Sequence, residues 1–277
     1  MPDLAKAFEL SDDFPRLTRP QPGDWLAVHH EEGQPVAEFV NCDWNRPDAT
    51  RHKIYLQPLG EFVRGHGPPL ERLRELASAY FTLEVELLPV LEINGPTLTT
   101  RINRLTGNRQ LLVDDLLARL QKRLPADAFC LLGITDQDLY PEPEWNFVFG
   151  IATLRQRVGV ISWARYDPAL YGEPRGRDFR KLLLKRTAKV MIHEIGHMYG
   201  LLHCIYGKCI MNGSNHLPEG DQRPPHLCPV CLRKLHQAVG FDITSRYRQL
   251  LQVYQKCGFE AEAQWIKRRL RNLQADN

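Results

Sequence analysis

One eleven-residue segment, His193-Glu194-Ile195-Gly196-His197-Met198-Tyr199-Gly200-Leu201-Leu202-His203, restricts this chain more than any other feature. Residues four apart on an α-helix share one face about a turn apart, so His193 and His197 can offer both imidazoles to a single metal ion. That demands a helix, and residues 182–200 read as a long one. His203 reaches the same ion only if the helix stops and the chain reverses at Gly200, because glycine tolerates the left-handed backbone such a stop needs. Three protein ligands leave a fourth position open. Glu194, angled toward the same cleft, can hold a zinc-bound water and take its proton as the water attacks a carbonyl that zinc polarises. It can then pass the proton to a leaving amine. Two blander readings compete: a helix-face histidine pair without metal, and a closed structural zinc. Gly200 and His203 weigh against the first, and the neighbouring glutamate and missing fourth ligand against the second.

Four of the seven cysteines, Cys204, Cys209, Cys228 and Cys231, crowd into twenty-eight residues. Four thiolates saturate tetrahedral zinc and leave no open position, so a second, structural zinc is expected there, pinning the loop after His203. Two disulfides, free buried thiols or an iron–sulfur cluster are the alternatives. The cysteine count is odd and the first thirty residues hold no signal-peptide h-region, which fits a reducing compartment, the cytoplasm or nucleus. A formal net charge of +3 with interspersed signs gives no electrostatic reason to expect nucleic acid or a membrane surface as partner. No apolar run approaches the roughly eighteen residues of a membrane span. A monomer acting on peptide or protein is the expectation.

Along the chain, residues 1–50 are Pro-rich with weak periodicity and read as an extended N-terminal segment. Residues 51–203 read as a subdomain ending in the histidine-bearing helix, and 204–277 as a smaller subdomain with the cysteine cluster and terminal helices. Residues 52–60 and 83–93 read as strands around a helix at 68–81, a βαβ unit that predicts a parallel pair. A helix at 109–124 leads into the fully apolar strand 129–135, followed by strands 145–154 and 159–166, close enough in sequence to pair antiparallel. Helices are expected at about 226–239, 243–256 and 259–273. The fold class is therefore α/β (α+β) with a mixed, mostly parallel twisted sheet.

The segment HEIGHMYGLLHC, followed by Cys209, Met211 and the Cys228/Cys231 pair, closely resembles the archaemetzincins, a branch of the metzincin zinc peptidases. Residues 138–150 and 211–219 extend the resemblance to roughly 52–240. It implies a metzincin-like fold and hydrolysis of peptide bonds, with His193, His197 and His203 on catalytic zinc, Glu194 as the base and Met211 as the Met-turn residue beneath the metal. It also assigns the four cysteines to a second zinc, giving two Zn²⁺ per chain, and makes strand 145–154 the edge strand above the cleft that takes substrate by strand addition. Some metzincins carry a tyrosine two residues after the Met-turn methionine. Here that residue is Gly213, which leaves Asn215 and His216 as candidates for stabilising the transition state or as turn residues. Cys42 is a candidate latency cysteine. The rival function is a zinc protein that binds peptides and turns them over weakly or not at all.

Overall fold

Buried apolar strands organise the molecule, and they are short. The computed structural model describes residues 4–63, 65–93 and 98–274, so the outermost three residues of both expected terminal segments lie outside the described residues. In chain order the elements are α1 (Leu4–Ala7), α2 (Trp25–Val28), α3 (Val36–Asn41), β1 (Lys53–Leu59), α4 (Leu70–Phe81), β2 (Glu84–Leu87), β3 (Thr100–Ile102), β4 (Arg109–Leu112) and α5 (Val113–Gln121). Then follow β5 (Ala128–Thr135), β6 (Asp138–Tyr140), β7 (Gly150–Ala152), β8 (Val158–Ser162), α6 (Phe179–Met198), α7 (Leu217–Gln222), α8 (Pro229–Val239), α9 (Ile243–Lys256) and α10 (Glu260–Gln274). They fall into two compact units: Pro47–Met198, and Met1–Arg46 together with Tyr199–Asn277.

In the 47–198 unit a five-stranded sheet runs β2-β1-β5-β8-β7. β1 is parallel to β2 and β5, β5 is parallel to β8, and β7 closes the edge antiparallel to β8. This is the mixed, mostly parallel sheet expected from the sequence. All eight residues of β5 are buried, because helices cover the sheet: α5 packs against β5 and β8, and α6 against β5, β7 and β8. Leu116 and Leu120 of α5 share a core with Tyr55, Leu131, Val158 and Val160.

Several expected elements are shorter than their sequence suggests. Residues 109–124 read as one helix, yet 109–112 form β4, which pairs antiparallel with β3 and parallel with β6 in a small second sheet. Gln110 Nε2 donates to Asp138 Oδ2 at 2.9 Å. Those partners satisfy the backbone and side chain of 109–112, and tertiary pairing overrides helix propensity. The expected strand 145–154 survives only as Gly150–Ala152. Upstream of it, the carbonyls of Trp145 and Asn146 accept from the Arg101 guanidinium instead of from a neighbouring strand. The expected strand 159–166 ends at Ser162 and turns into a short 3₁₀ stretch at Ala164–Tyr166.

The other unit joins the two ends of the sequence. Phe14 meets Trp265 and His226 edge-on at 5.7 and 5.8 Å, and Trp265 Nε1 donates to the Asp13 carbonyl at 3.0 Å. Arg269, 2% exposed, reaches Asp13 Oδ2 at 3.3 Å, while Lys267, Arg268 and Arg271 on the same helix face water. The N-terminal stretch carries three short helices and buries Phe14 and Phe39, because its scattered apolar residues dock singly on α8 and α10 rather than forming a periodic face of their own. Among the described residues no helix is long and apolar enough to cross a membrane.

Candidate metal centre

α6 is a twenty-residue helix buried around most of its circumference. Its C-terminal turns carry His193 and Glu194, each 5% exposed, and His197. The two Nε2 atoms stand 3.0 Å apart with their rings near perpendicular at 89°. Two nitrogens at about 2.1 Å from a tetrahedral zinc would be separated by about 3.4 Å, so the pair has the spacing of donors aimed at one ion. Glu194 lies against the edge strand: a Cβ built on Gly150 of β7 would sit 2.9 Å from both Glu194 Cγ and Oε1. Only a residue without a side chain leaves that room.

Past Met198 the chain turns at Gly200, whose φ of +85° is the left-handed geometry the motif requires. Trp44 lies directly over its Cα, so a side chain there would collide with the indole. Gln34, fully buried, clasps the turn: its Nε2 donates to the Gly200 carbonyl at 3.0 Å and its Oε1 accepts from the Leu202 amide at 3.3 Å. The buried Lys234 ammonium donates to the same oxygen at 3.0 Å. His203 Nδ1 is 2.7 Å from Glu31 Oε1. His203 belongs to the compact unit formed by Met1–Arg46 and Tyr199–Asn277, His193 and His197 to Pro47–Met198.

Cys204, Cys209, Cys228 and Cys231 are buried, unbridged, and converge with every sulfur within 4.8 Å of the others. The Cys204 and Cys228 Sγ atoms are 3.5 Å apart, near the roughly 3.8 Å expected of two sulfurs each about 2.3 Å from one tetrahedral zinc. Backbone amides favour the charged sulfur: Cys228 N donates to Cys209 Sγ at 3.2 Å and Met211 N does so at 3.5 Å. Hydrogen bonds from Cys204 and the other cysteines hold the Cys228 thiol far below its usual range, whereas burial pushes Cys209 well above it. Four such groups share negative charge only around a cation. Asn212, also buried, ties the loop together by accepting from the Cys209 amide at 2.7 Å and donating to the Cys204 and Gly207 carbonyls at 2.7 and 3.0 Å.

Met211 sits inside this loop, fully buried, its carbonyl accepting from the Cys204 amide at 2.8 Å. The thiol loop thus fixes the methionine's backbone at both its N–H and its C=O. At Gly213 the Trp25 ring fills the space a side chain would need. Asn215 and His216 are turn residues in the structure: His216 caps α7 and contacts Asp24 at 3.1 Å, and Asn215 bonds Glu219 and the Gly23 carbonyl. Asp24, His216 and Glu219 form a third set with metal-like spacing, but its atoms are bonded to one another and to backbone amides. Cys42 ends α3, half-buried, and is grouped with none of these sets. Sequence reasoning missed Glu31, Gln34, Trp25, Gly150 and Asn212. Of these, Gly150 and Asn212 lie in the stretches 138–150 and 211–219, whose resemblance could have flagged them.

Known proteins resemble this chain in sequence and in structure. Peptidase family M54 matches residues 95–237. The archaemetzincin-2 proteins of Macaca fascicularis and Homo sapiens are each 38% identical, over 90% of this chain and 77% of theirs. Among solved structures, an archaemetzincin from Methanopyrus kandleri superposes with a TM-score of 0.52 at 30% identity, covering 70% of this chain and 99% of its own. A zinc-dependent peptidase from Methanocorpusculum labreanum gives 0.53 at 25% identity, covering 66% of this chain and 99% of its own.

Proposed function

We propose, for a chain that belongs to peptidase family M54, the archaemetzincin zinc metallopeptidases, that peptide bonds are cut at a zinc held by His193, His197 and His203, with Glu194 moving the proton. The observation that carries this reading is the His193/His197 pair, with its Nε2 atoms 3.0 Å apart and Glu194 beside it. Zinc in such a site supplies Lewis-acid activation of water and of the scissile carbonyl. Glu194, buried against Gly150, is held where a carboxylate can accept a proton from the attacking water and return it to the leaving amine. β7, at the sheet edge, offers backbone groups to an extended peptide by strand addition. The four cysteines hold a second zinc that keeps the loop carrying Met211 in place.

The test is metal analysis of the purified chain joined to a broad peptide-library digest. Two zinc ions per chain are expected, with cleavage that a chelator abolishes and zinc restores. One zinc per folded chain, or no chelator-sensitive cleavage across the library, overturns the reading.

Gly150→Ala gives a second, independent check. A methyl group there meets side-chain atoms only, Glu194 Cγ and Oε1 and Ile161 Cγ2, each at 2.9 Å, so the carboxylate must move and Ile161 must give way, at a modest cost in stability. Misplacing a reacting group by about 1 Å costs on the order of 10²-fold, and kcat/KM should fall by about that factor with zinc content close to wild type. Activity within threefold of wild type would mean that the position of Glu194 does not matter.

A further inference from the structure

We propose that Glu31 is a positioning residue that orients the third histidine and fixes its tautomer, an inference that rests on His203 being a zinc ligand as argued above. His203 Nδ1 and Glu31 Oε1 are 2.7 Å apart, and both side chains are about four-fifths buried, at 19% and 22% relative exposure. With Nδ1–H donating to a carboxylate, the lone pair is left on Nε2, at the opposite side of the ring, where a metal takes it. The negative charge also makes the imidazole a stronger donor toward a cation.

Glu31 is itself held. The same Oε1 accepts from Trp25 Nε1 at 2.8 Å. The Trp25 ring stands edge-on to His203 at 4.7 Å and stacks on His29 at 3.9 Å. The Trp25 amide donates to Glu219 Oε1 at 2.8 Å. Trp25 can lie this close to the loop after Met211 only because residue 213 is glycine. The residue that replaces the tyrosine found in some metzincins is therefore what admits the indole, and the indole steadies the carboxylate behind His203. All these residues belong to one compact unit, although Glu31 and His203 are 172 positions apart in sequence.

The experiment is competitive chelator titration of the full chain, with cobalt substitution to separate the two sites by their absorption. In Glu31→Ala, affinity at the histidine site should fall about 10–100-fold, the usual cost of losing a histidine's outer partner. The thiolate-to-cobalt bands of the cysteine site should keep their intensity and affinity. Glu31→Gln, nearly isosteric and safe for folding, should fall between wild type and Glu31→Ala, because it keeps an acceptor and loses the charge. Trp25→Phe, which removes one hydrogen bond to Glu31, should weaken the same site less than Glu31→Ala does. Unchanged histidine-site affinity in Glu31→Gln and Glu31→Ala overturns the proposal, as does an equal loss at both sites, which a merely structural role would give. A wild-type chain without the histidine-site cobalt signal would sink the zinc-ligand reading itself, a failure visible before any variant is made.

Discussion

Glu194→Ala is expected to retain two zinc ions per chain and to lose peptide hydrolysis by about 10²–10⁴-fold, the range associated with removing a general acid–base group. Metal content should be preserved because the proposed ligand set is His193, His197 and His203, without Glu194. Folding should be preserved because Glu194 is one buried carboxylate near a helix end, and truncating it removes a charge rather than a packing anchor. Glu194→Gln sharpens the measurement. It keeps the shape against Gly150 and the hydrogen-bonding capacity but has no basicity, so a loss of kcat as large as in the alanine variant assigns the effect to proton transfer. Steady-state kinetics on a cleaved library peptide, with zinc quantified in the same samples, decide the matter. A Glu194→Ala enzyme with more than about a third of wild-type kcat/KM would remove Glu194 from the mechanism.

Cys231→Ala is expected to lose the second zinc and to destabilise the fold severely. Structural zinc in small sites contributes apparent binding energies of about 10–16 kcal/mol near neutral pH, so even a fraction of that lost through an incomplete ligand set is several kcal/mol. At roughly 3 °C per kcal/mol for units of this size, melting should fall on the order of 10 °C or more. The effect should spread to the histidine site. Cys204 directly follows His203, and the Met211 backbone is tied to Cys209 Sγ and to the Cys204 amide. The variant's melting curve should also become nearly insensitive to chelator, whereas that of wild type should shift strongly. A Cys231→Ala chain that melts like wild type and still carries two zinc ions would leave the cysteine cluster without a structural role.

What could be read in the sequence was whatever is encoded by short spacing. The histidines four apart, the glycine stop and the two cysteine pairs depend on helix pitch and on the valence of zinc, both of which act within a few residues. The apolar run of β5 was legible for a similar reason, since a strand covered on both faces needs no partner in sequence to be seen. Glu31, Gln34 and Trp25 were illegible because each acts on residues more than 160 positions away, from a Pro-rich stretch with no periodic face. Gly150 was passed over because its value lies in the space it leaves for Glu194. The first four residues of the expected helix at 109–124 were misjudged because their partners, β3 and β6, are three-residue strands too brief to leave a pattern.

The unit that holds His203 is discontinuous in sequence, and this sets an order of assembly on the ribosome. Residues 47–198 form a continuous unit that can fold as soon as it emerges, since domains generally fold as they are made. At that stage the nascent chain presents His193 and His197 but not the third histidine. The N-terminal residues, although synthesised first, dock on segments made after residue 198: Gln34 on Gly200 and Leu202, Phe14 on Trp265. On the proposed ligand set, a product halted near residue 200 would be folded in large part yet lack the third histidine.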